Sequence, residues 1–201
     1  MMSLSSIGQT FDDCSLSYHK NYNKVLLELA RHVITRKSAD SLRAVLDAEL
    51  ESCIIGKEIG DYSLTGRSGK TYTQDSLQGK VVLFNFWSVN CGPCIVEIPW
   101  QNKLYRSYKE NKDFVLISIL LDKEEDLDKF LHRGLTKTRI SYEVVPNGKS
   151  IIKENFKLVK AYPTNLFIDR EGKISMRTIG ALNGEESFEE MRYIIDNELI
   201  K

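Results

Sequence analysis

The spacing of apolar positions changes along this chain, and each change predicts a change of architecture. Between residues 18 and 53, Val25, Leu26, Leu29 and Val33, then Leu42, Val45, Leu46 and Leu50, recur at the three-and-four spacing of one helix face. Lys37 and Ser38 mark the break, with Ser38 as the expected N-cap of the second helix. A helical hairpin is therefore expected. From Gly56 the composition shifts, and IGDYSLTGRSGKTYTQDSLQGK (59–80) reads as short strands joined by glycine turns. The boundary is placed near Ile55, giving a helical extension over 1–55 and a second domain over 56–201.

Beyond that point continuous apolar runs alternate with amphipathic stretches, the signature of an α/β sheet with parallel or mixed strands. VVLFNFW (81–87) fits a central strand covered on both faces. A helix is expected over 93–108, and FVLISILL (114–121) makes the next buried strand. KEEDLDKFLHRG (123–134) predicts an amphipathic helix closed by Gly134, ISYEVV (140–145) a further strand and KSIIKENF (149–156) a short helical piece. TNLFID (164–169) and KISMRTIG (173–180) flank the turn REG as a hairpin, and GEESFEEMRYIIDNELI (184–200) is a final amphipathic helix.

Composition narrows the function classes. Hydrophobic residues make up 42% and charged residues 28%, as in an ordinary water-soluble globular protein. Lys plus Arg and Asp plus Glu both number 28, so no basic field exists to draw in nucleic acid or an anionic membrane. MMSLSSIGQTFDDC lacks the apolar core of a secretory signal. No run approaches the roughly 20 apolar residues of a membrane-spanning helix. The doubled Met and short polar lead-in leave room for a leader or lipid-attachment segment upstream.

The cysteines carry the chemistry. Cys14, Cys53, Cys91 and Cys94 are too few for a disulfide scaffold in a chain that can build its own core. Cys91 and Cys94 form a C-x-x-C pair between the strand at 81–87 and the helix that follows. At a helix N-terminus, unpaired N–H groups and the macrodipole favour an anion, which lowers a thiol pKa below its free value of about 8.5. Cys91 then attacks a substrate disulfide, and the more shielded Cys94 resolves the mixed disulfide. Pro93 is tolerated at the helix start, and Gly92 lets a partner approach the backbone. C-x-x-C is also half of a zinc site, but no second pair follows, and His19, His32 and His132 are scattered. Two inert core cysteines are the other bland alternative. Cys14 and Cys53 could bridge the hairpin in an oxidising compartment, although the reading favours leaving them unpaired or open.

VVLFNFWSVNCGPCIVEIP (81–99) resembles the active-site segment of the thioredoxin superfamily, and more closely that of the TlpA/ResA-like extracytoplasmic thiol-disulfide oxidoreductases of bacteria. IGKEIGDYSLTGRSGKTYTQDSLQGK (55–80) and AYPTNLFIDREGKI (161–174) extend the match, which covers about Gly56 to the C-terminus. The resemblance implies a thioredoxin-like α/β fold, a central mixed sheet flanked by helices with one additional strand and helix in its middle. It leaves the N-terminal helices unaccounted for. It also implies that Glu97 serves Cys94 as general acid or base, against the bland alternative of a solvated carboxylate. Pro163, cis after Tyr162, is implied to face the sulfurs, so that Tyr162, Pro163 and Thr164 join Gly92 and Pro93 in binding substrate. Pro99 should kink the helix. Thioredoxins carry a buried Asp where this chain has Asn85, and most relatives carry Trp where it has Asn90. Trp87 reads as core, and Trp100 as either core or site.

The expected function is therefore a protein disulfide oxidoreductase working through CGPC, with no cofactor and no metal. Reduction is the favoured direction, because Gly-Pro is the pair of reducing thioredoxins, with a potential of about −270 mV against about −120 mV for a strongly oxidising relative. Expected partners are disulfide-containing clients, cytochrome maturation being one candidate pathway, and an upstream electron donor such as a membrane thiol-disulfide transporter. The expected location is the cell envelope or periplasm. Two alternatives stand: a docking module that binds through its helical extension, and a thiol peroxidase. The latter is disfavoured because Ser88 stands where a Thr would precede a peroxidatic cysteine.

Overall fold

The computed structural model describes residues 11–31, 34–132 and 139–201. Val33, His32 and Gly134 lie outside these residues, as does the side chain of His19. The chain divides into two compact units between Glu58 and Ile59.

The first unit is a pair of helices, α1 (Phe11–Ala30) and α2 (Arg36–Ile54). Each buries a narrow stripe, Cys14, Tyr18 and Val25 on α1 and Ala39, Leu50 and Ile54 on α2. Of the apolar face expected from spacing, Leu26, Leu42 and Val45 are exposed, because two helices in contact share a single seam. The cap of α2 is Thr35, three residues ahead of the expected Ser38. Thr35 has extended backbone and its hydroxyl accepts the Ser38 N–H at 3.2 Å, so Ser38 is the partner of the cap rather than the cap itself. Cys14 and Cys53 are joined as a disulfide with a Cα separation of 5.8 Å. This decides between the two possibilities that the sequence leaves, in favour of the bridge and against the unpaired or open state: antiparallel helices bring the start of α1 beside the end of α2, within the 4.4–6.8 Å that a disulfide spans.

The second unit opens with a small hairpin, β1 (Ser63–Thr65) and β2 (Thr71–Thr73), followed by α3 (Gln74–Leu77). Pattern reading missed α3, a single turn held by a reciprocal capping box between Thr73 and Ser76. The main sheet comprises β3 (Val81–Trp87), β4 (Phe114–Leu120), β5 (Glu143–Val145), β6 (Thr164–Ile168) and β7 (Ile174–Ile179). Their order is β5-β4-β3-β6-β7. β3, β4 and β5 run parallel, while β6 and β7 are antiparallel to their neighbours. Among the described residues four further helices complete the unit: α4 (Gly92–Tyr108), α5 (Glu124–His132), α6 (Lys149–Asn155) and α7 (Glu185–Ile200). This is the thioredoxin-like α/β fold, with the parallel edge strand β5 and α5 as its additional pair.

All seven residues of the central strand β3 are buried, and alternation along it divides them between two layers. Leu83 packs with Leu104 of α4 and Phe188 of α7, while Trp87 packs with Cys94, Ile98 and Phe130. Phe84 and Phe86 point the other way, onto Phe156, with ring centroids 5.3 and 5.0 Å apart. Asn85 is the polar exception on the Leu83 face. The parallel order places the C-terminal end of β3 against the start of α4, and the dithiol motif occupies that junction.

Candidate active site

β3 ends at Trp87, and a turn at 88–91 hands the chain to α4. In this turn the Cys91 N–H donates to Ser88 O at 3.1 Å. Cys91 is the N-cap of α4, with Pro93 in the first turn, and the Cys94 N–H points at Cys91 Sγ from 3.2 Å. The helix therefore aims an unpaired backbone donor at the sulfur, the arrangement that favours a thiolate when the pair is reduced. Cys91 and Cys94 are joined as a disulfide. Cys91 is half-buried and Cys94 is 2% exposed, so only the first sulfur is open to an incoming partner.

The opposite wall is the start of β6. The Tyr162–Pro163 peptide is cis, and the Tyr162 carbonyl oxygen lies 3.5 Å from Cys91 Sγ. The Pro163 carbonyl accepts the Gly180 N–H, and the Thr164 hydroxyl donates to Ala161 O. Pro163 and Thr164 are buried, whereas Gly92 and Pro93 are exposed and Tyr162 is half-buried. Of the five residues named for substrate contact, Gly92 and Pro93 follow Cys91 directly and the Tyr162 carbonyl faces its sulfur, while Pro163 and Thr164 carry the chain from Tyr162 into β6. Burial, and after it the charge of Asp122, push the Tyr162 hydroxyl pKa up.

Glu97, one turn after Cys94, is 1% exposed. Its Oε1 accepts from Asn165 Nδ2 at 2.8 Å and the Leu182 N–H at 3.3 Å, and its Oε2 accepts from Asn85 Nδ2 at 2.9 Å. Gln101 Nε2 and Asn85 Nδ2 both donate to Asn165 Oδ1, and the Ser118 hydroxyl donates to Asn85 Oδ1. Burial raises the Glu97 carboxyl pKa from the ordinary 4.5, opposed by hydrogen bonds from Asn165, Leu182, Asn85 and Gln101. Asn85 is therefore a donor to Glu97, not merely a position that cannot move a proton. Asn165, Gln101 and the Leu182 amide have no signal in sequence: they come from three separate stretches, β6, α4 and the loop between β7 and α7, and meet only when these pack. Trp87 is core, and among the described residues its indole N–H has no acceptor. Trp100 stacks obliquely on Phe188 at 6.3 Å and belongs to the packing between α4 and α7. Pro99 lies inside α4, which continues through it.

The raised Glu97 pKa predicts a direction for stability against pH. A carboxyl that binds its proton more tightly folded than unfolded stabilises most below the unfolded pKa, and that contribution is lost as pH rises through the folded value. In urea unfolding between pH 4 and pH 8, the stability of the wild type relative to Glu97→Gln should therefore fall as pH rises. A relative stability that climbed over this interval would show that hydrogen bonding to the carboxylate outweighs its burial.

Comparison with known proteins adds an independent line. The model of the AhpC/TSA family matches residues 55–177. The chain is 34% identical over 140 residues to a thiol-disulfide oxidoreductase ResA of Bacillus cereus, covering 69% of this chain and 78% of that protein. Among solved structures it is similar to a Chlorobium tepidum protein provisionally named thiol:disulfide interchange protein DsbE, with 28% identity, a TM-score of 0.60, and coverage of 72% of this chain and 97% of that one. A Bacteroides thetaiotaomicron protein provisionally named a protein disulfide isomerase is 32% identical, with a TM-score of 0.60, and covers 73% of this chain and 91% of its own.

Proposed function

The chain belongs to the AhpC/TSA family of thioredoxin-like proteins and is a thiol-disulfide oxidoreductase of the ResA and DsbE type, and from that premise we propose that it reduces protein disulfides in the bacterial cell envelope through Cys91 and Cys94. The observation that carries this reading is a half-buried Cys91 at the α4 N-terminus, its sulfur 3.5 Å from the Tyr162 carbonyl that precedes cis-Pro163, paired with a shielded Cys94. In the reduced enzyme the Cys91 thiolate attacks one sulfur of a client disulfide. The client's other sulfur leaves as a thiolate and takes a proton. Cys94 then loses its proton and attacks Cys91 Sγ, the second client sulfur departs as a thiol, and the Cys91–Cys94 disulfide remains.

Glu97 is the group in this scheme that takes the Cys94 proton. It stands three residues further along the same helix, and burial keeps its carboxyl more basic than usual. The exposed faces of Gly92 and Pro93 and the Tyr162 carbonyl receive the client backbone. No cofactor is needed beyond the disulfide itself. A dithiol reductase left as its disulfide must regain two electrons after each turnover, and a membrane thiol-disulfide transporter is the class of donor that fits. The envelope location is supported by the Cys14–Cys53 disulfide, which suits an oxidising compartment.

The test is the reduction potential of the Cys91/Cys94 pair, measured by equilibration with dithiothreitol buffers and mass-spectrometric thiol counting, with Cys14 and Cys53 counted separately. A reversible two-electron transition near about −270 mV supports a reductase. A value near about −120 mV would make the enzyme an oxidant. Absence of a reversible transition would remove the dithiol mechanism.

A further inference from the structure

We propose that Asp122 is a positioning residue of this site, holding the turn that presents Cys91. The inference rests on the dithiol reading above. Asp122 follows the C-terminal end of β4, and its Oδ2 accepts the Val89 N–H at 2.9 Å. Val89 lies in the turn at 88–91, two residues before the attacking sulfur. Val89 and Cys91 pack against the cluster of Trp87, Ile98 and Phe130, but the other hydrogen bonds of the turn's N–H groups are internal to it: the Asn90 N–H reaches Ser88 Oγ at 3.3 Å and the Cys91 N–H reaches Ser88 O at 3.1 Å. The carboxylate of Asp122 ties the turn to the neighbouring strand.

Asp122 is itself clamped. The Leu121 N–H donates to Trp87 O at 2.9 Å, which carries the β3–β4 ladder one step past the strand ends. The Asn147 N–H donates to Asp122 O at 2.8 Å, from a residue whose φ of 61° places it in the left-handed region. The following Gly148 N–H donates to Leu120 O at 2.7 Å. A Cβ on Gly148 would stand 2.7 Å from both Leu120 O and Ile119 Cγ2, so this close approach of the backbone requires glycine. The loop before α6 thus fixes the backbone of Asp122, and Asp122 fixes the turn before Cys91. Its charge also reaches Tyr162, whose carbonyl oxygen faces Cys91 Sγ. No spacing in the sequence marks Asp122. A reacting sulfur displaced by a fraction of an ångström loses alignment with the disulfide that it attacks.

The test uses the full chain with Asp122→Ala and Asp122→Asn, reading two quantities: hydrogen exchange of the Val89 amide, and the rate at which the reduced protein opens a peptide disulfide. Asp122→Ala should expose the Val89 amide and slow disulfide opening by about tenfold to a hundredfold. Asp122→Asn should recover most of both losses, because its Oδ1 still accepts from Val89. An unchanged Val89 exchange and rate in Asp122→Ala would overturn the proposal, as would an Asn variant as impaired as the Ala variant. A Val89 amide that exchanges at the unprotected rate in the wild type would overturn it without any variant. If the wild type opens no disulfide the functional reading fails, while amide exchange still decides whether Asp122 holds the turn.

Discussion

Replacing Cys91 with Ser should abolish disulfide exchange, whereas replacing Cys94 with Ser should leave the first half of the reaction intact and stop the second. The asymmetry follows from burial and from the helix terminus. Only Cys91 presents its sulfur to solvent and receives the Cys94 N–H. A serine hydroxyl there stays protonated and is no nucleophile toward sulfur, so turnover should fall on the order of 10⁶-fold, the scale of losing a covalent nucleophile, and reach the assay background. With Cys94→Ser the attack by Cys91 still occurs, but no second thiol exists to release the client. Covalent adducts through Cys91 should accumulate, stable in gel electrophoresis without reductant and dispersed by dithiothreitol. Equal loss in both variants with no adduct would mean that the two sulfurs do not divide the work in this way.

The parts of this site legible in the sequence are those that local chemistry dictates. VVLFNFW had to be a covered strand because it has no polar face, and its bounds as β3 match the run itself. CGPC had to open a helix, because Pro93 is tolerated there and the strand supplies the chain from behind. What could not be read is what long-range packing decides. Asn85 looked like a substitution that removes chemistry, and it becomes a donor to Glu97 only because β3 lies under α4. Asn165 and Leu182 reach the same carboxylate from sequence separations of 68 and 85 residues. Asp122 is hidden for the same reason: an acidic residue between a strand and a helix reads as solvated until the turn at 88–91 folds back to it. At the N-terminus periodicity located both helices but overstated their apolar face. It could not place Cys14 beside Cys53, since pairing is a property of the hairpin and not of either helix.

That disulfide leads to the second large effect: Cys14→Ser with Cys53→Ser should melt the helical hairpin while leaving the Cys91/Cys94 potential unchanged. Joining residues 39 apart removes loop-closure entropy from the unfolded chain worth about 4 kcal/mol in the chain-entropy model. The hairpin is poorly placed to lose it. α1 and α2 are 20 and 19 residues long, only a few residues beyond the roughly 15 below which isolated helices are marginal in water. Their shared seam is narrow, and Leu16 and Val45 are 64% and 55% exposed. A unit of this size without a larger core depends on a staple. Far-UV circular dichroism of the double variant should therefore lose much of the helical signal of α1 and α2, and limited proteolysis should cut within them before it cuts beyond Ile59. Retention of full helicity would show that the seam alone suffices. In the expected case the two disulfides have opposite duties, since Cys91–Cys94 must open at every turnover and Cys14–Cys53 must not. The donor that regenerates the enzyme then has to discriminate between them, and since each disulfide joins a half-buried cysteine, Cys91 or Cys53, to a buried one, Cys94 or Cys14, the basis for doing so is the surroundings of Cys91: the exposed Gly92 and Pro93 and the α4 N-terminus.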